Sequence, residues 1–120
     1  KRQYVGSVTA YAYEAKVRLL GVEWDTLEAY GAVSEQVAEE MATGVRNALG
    51  ADIGLSISGI AGPGGGTKEK PVGMVCFGLS SPDRVWTTTQ YFDGDRLAVK
   101  EQAADFILSS LLAYLNGKLT

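Results

Sequence analysis

The chain has 120 residues, 46% of them hydrophobic, enough for one core in one domain and too short for two. Lys and Arg number 11 against 14 Asp and Glu, so the net charge of −3 argues against a nucleic-acid partner. Histidine is absent and cysteine occurs once, as Cys76, which excludes an internal disulfide, a Ser-His-Asp triad and the usual transition-metal ligand sets. The lone thiol fits a reducing compartment, and no apolar run approaches the roughly 18 residues of a membrane span. A cytoplasmic protein with no membrane partner, no metal and no cofactor is expected.

In chain order, Tyr4 to Ala12 is rich in Tyr, Val and Thr and predicts a strand, and Glu14 to Leu20 predicts a short helix closed by Gly21. Asp25 with Glu28 three residues on reads as a capping box for a helical turn that Gly31 stops. Ser34 then starts the clearest helix, with Val37, Met41, Val45 and Ala48 at helical spacing and Gly50 at its end. Ile53 to Ile57 is a buried strand that delivers the chain into a glycine-rich loop, Gly59 to Gly66. Val72 to Leu79 and Val85 to Phe92 form a hairpin about the Ser80–Asp83 turn, so the sheet is mixed. Asp93-Gly94-Asp95 introduces a last helix reaching about Asn116. Its Phe106, Ile107, Leu108, Leu111, Leu112 and Leu115 cover more than one face, which predicts deep burial or a shared surface.

Of the 15 glycines, many fall between Gly59 and Gly78. Glycines after a strand let backbone amides curl around an anion such as phosphate. The segment is neither a P-loop nor a Rossmann turn: it has no Gly-Lys-Ser/Thr, and it leads through Pro71 into a strand. Its bland reading is a long hairpin connection. Ser58 stands at the strand's exit, where an ordinary strand-end serine is the simpler reading. Lys16, at a helix start, is placed where an ammonium gains nothing from the helix dipole, and a lysine of lowered pKa can replace histidine as a serine's base. A solvated surface lysine is the alternative. Arg96, next to Asp95, offers a planar fork to a phosphate or a salt bridge at the surface.

The segments Glu14-Ala15-Lys16-Val17-Arg18-Leu19-Leu20-Gly21-Val22, Tyr30 to Ala38, Ser58 to Thr67, Glu69-Lys70-Pro71-Val72-Gly73 and Gly94-Asp95-Arg96 closely resemble the C-terminal domain of the CinA (competence/damage-inducible) family. The resemblance spans nearly the whole chain as one domain, 1–120. It implies a three-layer α/β/α sandwich with a mixed β-sheet and a nicotinamide-nucleotide amidase. Such an enzyme hydrolyses nicotinamide mononucleotide to nicotinate mononucleotide and ammonia in pyridine nucleotide recycling. It further implies a small-molecule mononucleotide substrate, a homo-oligomer such as a dimer, and a serine nucleophile with a lysine base. Carried over residue by residue, Lys16 takes the catalytic position, while Tyr11, Ser58, Gly59, Gly62, Gly64, Gly65 and Arg96 take substrate-binding ones. The family's serine lies in a Glu-Ser-Cys-Thr-Gly-Gly segment that these 120 residues do not contain, so it is expected upstream of Lys1. Where the family has Tyr-Ser-Asn before Glu-Ala-Lys, this chain has Tyr11-Ala12-Tyr13. The alternatives are a non-catalytic nucleotide-binding or regulatory module of the same fold, or a structural domain whose glycine loop is only a connection.

Overall fold

A computed structural model of the chain describes residues 21–59 and 66–120 in full and residues 5–7 by their backbone. Among the described residues seven elements follow in order: strand β1 (Val5–Ser7), helices α1 (Trp24–Tyr30) and α2 (Glu35–Leu49), strands β2 (Ile53–Gly59), β3 (Met74–Ser80) and β4 (Val85–Tyr91), and helix α3 (Arg96–Leu115). The sheet order is β1-β2-β3-β4. β1 runs parallel to β2, whereas β2–β3 and β3–β4 are antiparallel, which makes the sheet mixed. The chain is thus an α/β protein. The predicted helix over 14–20 and the remainder of the strand predicted over 4–12 lie outside the described residues.

Strand alternation splits the sheet into two unlike faces. Ile53, Leu55, Val75, Phe77 and Leu79 turn to α3, where Val99, Ala103 and Ile107 complete a buried core with Trp86, Phe92 and Phe106 packed around it. Phe77 is fully buried, and its ring lies 4.6 Å from that of Phe106. The other face carries Gly54, Ser56, Ser58, Cys76, Gly78 and Ser80, and α2 packs on it. The contact is made through backbone: a Cβ on Gly54 would stand 2.1 Å from the Ala42 carbonyl oxygen, and one on Gly78 would stand 2.4 Å from that of Ala38. Ser56 Oγ donates to the same Ala38 oxygen at 2.6 Å. On its other side α2 forms a small core of Val37, Met41 and Val45 with Val22 and Leu27.

Most boundaries follow local chemistry. Ser34 caps α2, its hydroxyl accepting the Val37 N–H at 3.2 Å, and Gly50 ends it in the left-handed conformation, φ 60°. Asp95 caps α3 through the Ala98 N–H at 2.9 Å. The expected capping box of α1 is not formed: the helix begins one residue before Asp25, and its cap residue Glu23 makes no side-chain cap bond. The acceptor comes from α2 instead, where Glu40 takes the Glu23 N–H at 2.8 Å and the Thr26 hydroxyl at 2.6 Å. Glu40 thus satisfies the N–H of the cap residue, the role that the acid of a capping box plays, and its second oxygen takes a side-chain hydroxyl of the first turn. The hairpin is present with shifted edges: β3 begins at Met74 rather than Val72 and keeps Ser80, and β4 ends at Tyr91.

Candidate functional site

β2 reaches Gly59 at the end of the sheet where β3 starts and β4 finishes. Both long helices begin there, one on each face. α2 opens at Ser34 after the Tyr30–Val33 connection. α3 opens at Asp95 after Phe92, whose N–H donates to Gly73 O at 2.9 Å. Gly73, at φ 95°, must be glycine, because a Cβ would lie 2.2 Å from the Phe92 carbonyl oxygen. The ends of the glycine connection, the start of α3 with Arg96 and the start of α2 therefore meet at one end of the sheet.

Ser58, Cys76 and Thr89 form one cross-strand row on the α2 face. Ser58 is buried, and its hydroxyl donates to the Ala32 carbonyl at 2.6 Å. That bond turns it toward the α1–α2 connection. Thr89 Oγ1 donates to Glu35 Oε2 at 2.7 Å, and Thr87 Oγ1, one row deeper, donates to Glu35 Oε1 at 2.9 Å. One carboxylate in the first turn of α2 thus accepts two hydroxyls from β4. Cys76 Sγ lies 3.5 Å from Thr89 Oγ1. Burial pushes the Cys76 thiol up and the Glu35 charge adds to this, against the Thr89 hydrogen bond and the Lys70 charge. It stays protonated near neutral pH, and a protonated buried thiol is a poor nucleophile.

On the far side of the glycine connection Lys70 reaches back to donate from Nζ to the carbonyl of Tyr30. Thr67 N–H donates to Lys70 O at 2.8 Å, and Lys70 N–H donates to Thr67 Oγ1 at 3.0 Å, closing a small turn. Gly66 is held close here too, since a Cβ would meet Val72 N at 2.7 Å. Gly59, at the other end, leaves a space that a Cβ could enter only by pressing Val75 Cγ2 at 2.9 Å.

Of the residues expected in a substrate site, Ser58, Gly59 and Arg96 stand at this end of the sheet. Ser58 is engaged with the backbone, and Arg96 is exposed at the start of α3. Lys16, Tyr11, Gly62, Gly64 and Gly65 lie outside the described residues. Two residues here were missed by sequence reasoning, Lys70 and Glu35. Lys70 sat inside the quoted Glu-Lys-Pro-Val-Gly motif. Glu35 had only the signal of an acid in a first helical turn, and its partners are 52 and 54 residues away. A shallow groove of about 510 Å³ along α2, lined by Gly21, Glu39, Glu40, Thr43, Gly44, Asn47 and Ala48, contains none of the expected residues. Among the described residues no group of His, Cys, Asp and Glu could hold a metal ion, and no helix is long and apolar enough to cross a membrane.

Comparison with known proteins agrees with this architecture. A crystal structure of a competence or damage-inducible protein from Enterobacter asburiae superposes with a TM-score of 0.84 at 45% identity, covering 88% of this chain and 67% of that one. A CinA superfamily protein from Escherichia coli superposes at 0.81 with 39% identity, covering 85% and 59%. In sequence, the chain is 59% identical over 108 residues to a nicotinamide-nucleotide amidohydrolase PncC from Enterobacter agglomerans, covering 89% of this chain and 65% of that protein. It is 50% identical over 123 residues to a putative competence-damage inducible protein from Symbiobacterium thermophilum, covering 95% of this chain and 29% of that one. The chain therefore spans less than two thirds of the length of these curated relatives. The family model of the CinA C-terminal domain matches residues 2–115, and with the shared sheet and the sequence identities this establishes that the chain belongs to the CinA C-terminal domain family.

Proposed function

We propose that this chain belongs to a nicotinamide-nucleotide amidase that hydrolyses the carboxamide of nicotinamide mononucleotide in the cytoplasm. The observation that carries the reading is the 59% identity to a protein named for that activity. Lys16 acts as the base, and the nucleophilic serine belongs to the family's Glu-Ser-Cys-Thr-Gly-Gly segment. The lysine takes the serine's proton, and the oxygen attacks the carboxamide carbon. The protonated lysine returns that proton to the amide nitrogen as the tetrahedral intermediate collapses, so the C–N bond breaks and ammonia leaves; a water that gives its proton to the lysine then cleaves the acyl-enzyme to nicotinate mononucleotide, and the proton passes back to the serine oxygen. Such a base requires the lysine pKa to fall from about 10.4 toward 7–8. No metal or cofactor takes part.

The mononucleotide binds at the carboxyl end of β2, with Tyr11, Ser58, Gly59, Gly62, Gly64, Gly65 and Arg96 around it. Support comes from the meeting of Gly59, Gly66 and the start of α3 at one end of the sheet, where backbone amides and the Arg96 guanidinium suit a phosphate. The binding role of Ser58 passes through the backbone it holds, because its hydroxyl is given to Ala32 O. The arrangement of α2 and α3 on opposite sheet faces supports a three-layer α/β/α sandwich as the architecture of the single domain. A homo-oligomer, in its simplest form a dimer, is formed through the outer face of α3. Leu97, Leu108, Leu112 and Leu115 fall on that face by helical spacing and are 46–64% exposed, opposite the buried Val99, Ala103 and Ile107.

A protein extended through the serine segment should release ammonia from nicotinamide mononucleotide, and Lys16→Ala should abolish the release with the fold intact. The 120 residues alone should bind nicotinate mononucleotide in titration calorimetry and turn nothing over. Turnover by them would overturn the serine assignment. Binding with no turnover by the extended protein would favour the non-catalytic module, and a monomer by light scattering at high concentration would end the proposal for α3.

A further inference from the structure

β4 ends the sheet on its side, and among the described residues nothing pairs with its outer edge. Two bonds beyond its ends fix which backbone groups face outward. Ser81 N–H donates to Arg84 O at 2.8 Å, and Phe92 N–H donates to Gly73 O at 2.9 Å. The β3–β4 register runs unbroken between them, so Trp86, Thr88 and Gln90 also turn their backbone groups to β3. Val85, Thr87, Thr89 and Tyr91 therefore present N–H and C=O to the outside. Over Val85–Tyr91 there is no charge, no proline and no bulge, the devices that usually blunt a free edge. Threonines flank Thr88 on both sides, and the strand ends on both sides in an exposed apolar residue, Val85 at 45% and Tyr91 at 65%.

We propose that a second copy of this chain adds to the outer edge of β4, joining the two sheets into one through a twofold axis at Thr88. Laid antiparallel about that axis, the copies set Val85 against Tyr91 and Thr87 against Thr89. Each of these pairs exchanges two main-chain bonds, so every outward group finds a partner. The exposed Val85 and Tyr91 cover each other at both ends, and Thr88 meets Thr88 at the centre. Sliding the copies by two residues would set Tyr91 against Asp83, or Val85 against Asp93, and lose this match. Charge agrees with the register: Arg84 of each copy comes beside Asp93 of the other, while Asp83 is turned into its own hairpin by the Ser81 and Tyr114 hydroxyls. Space agrees too. α2 and α3 lie over β2 and β3, and the two β3 strands stand three strand spacings, about 14 Å, apart, enough for helices about 10 Å across on each face. The inference goes beyond the amidase reading and needs none of it, and the outer face of α3 is a separate contact.

The experiment compares two double variants with the parent in the full-length protein that contains these residues, by sedimentation for the mass of the assembly and by amide exchange along β4. Val85→Lys with Tyr91→Lys sets like charges opposite each other at both ends of the seam, at positions exposed enough to leave the fold intact. It should halve the mass and speed exchange at residues 85, 87, 89 and 91 about tenfold or more, while Trp86, Thr88 and Gln90, bonded to β3, keep their parent rates. Val85→Lys with Tyr91→Glu sets opposite charges at the same places and should restore both mass and protection. An unchanged mass in the first variant would mean that the copies meet elsewhere, as on α3, and would overturn the proposal. A second variant as dissociated as the first would overturn the register and with it the axis at Thr88. Outward amides that exchange slowly in a monomeric parent would place another part of the same chain on the edge, and a parent whose outward amides exchange as fast as those of the first variant would leave the edge bare; either result refutes the seam. Turnover enters none of these readouts, so the amidase reading can fail while the seam stands.

Discussion

The two faces of the sheet solve the same packing problem in opposite ways. The face toward α3 is filled by large apolar side chains that interdigitate, with Phe77 buried in the core and the rings of Phe92 and Phe106 packed against it. The face toward α2 is nearly stripped of side chains, and Gly54, Gly78 and Ser56 admit helix backbone to the sheet surface. Stability on the first face comes from area removed from water, which tolerates exchange of one hydrophobe for another of like size. On the second it comes from fit and from hydroxyls paired with carbonyls and one carboxylate, which tolerates little. The polar face is also the one that reaches the glycine connection. Polar chemistry at the sheet end and close helix approach have the same cause, a row of small residues on alternate strand positions.

The comparison can be broken at either face. Phe77→Ala should cost most, about 3–5 kcal/mol in urea unfolding, because it empties the centre of a closed apolar cluster. Gly54→Ala adds a single carbon yet should cost about 1–3 kcal/mol, because the clash is with the Ala42 backbone, which cannot rotate away. If Gly54→Ala were neutral while Phe77→Ala had its full effect, the α2 face would be looser than its geometry implies. Thr89→Val keeps shape and removes one donor to Glu35, and about 1 kcal/mol is expected. Thr87→Val, acting on the other carboxylate oxygen, should cost a similar amount. The double variant should depart from additivity, since the two hydroxyls share one acceptor group.

What the sequence made legible was local. Ser34, Gly50 and Asp95 announce helix ends because the group that caps lies within about one helical turn of the group it serves. The hairpin and the mixed sheet followed from short β-branched runs, the last two of them joined by the Ser80–Asp83 turn. Illegible were the bonds whose partners meet only after folding. Glu40 replaces the predicted Asp25–Glu28 box at the start of α1, and it lies 17 residues from Glu23. The inward turn of Ser58 depends on Ala32, 26 residues earlier. Glycine positions were visible, but the loop reading did not predict that Gly54 and Gly78 serve helix approach. Family likeness supplied the candidate base, Lys16, which position alone left as an ordinary lysine. The upward push on the Cys76 thiol comes first from burial, a property of the assembled sheet.

The smallest expected effect lies at the other end of the sheet, where neither face dominates. In the β3–β4 turn Asp83 Oδ1 accepts the Tyr114 hydroxyl at 2.5 Å and the Ser81 hydroxyl at 2.7 Å. These bonds, Tyr114's first, hold its carboxyl below the ordinary value of 3.8 despite some desolvation. A carboxyl depressed in the folded state binds a proton more readily when unfolded, so its contribution is complete above the unfolded value and disappears as pH falls through the folded one. Asp83→Asn keeps an acceptor for both hydroxyls and removes the charge. The urea midpoints of parent and variant should therefore differ by a constant amount above about pH 5 and converge below about pH 4. The gap should be small, because the carboxyl is in solvent, and should shrink in high salt only slightly, because short hydroxyl bonds and not a distant cation sustain it. A gap that instead widened on acidification would mean that the folded carboxyl binds its proton more tightly than the unfolded one, and would remove the two hydroxyl bonds as the cause.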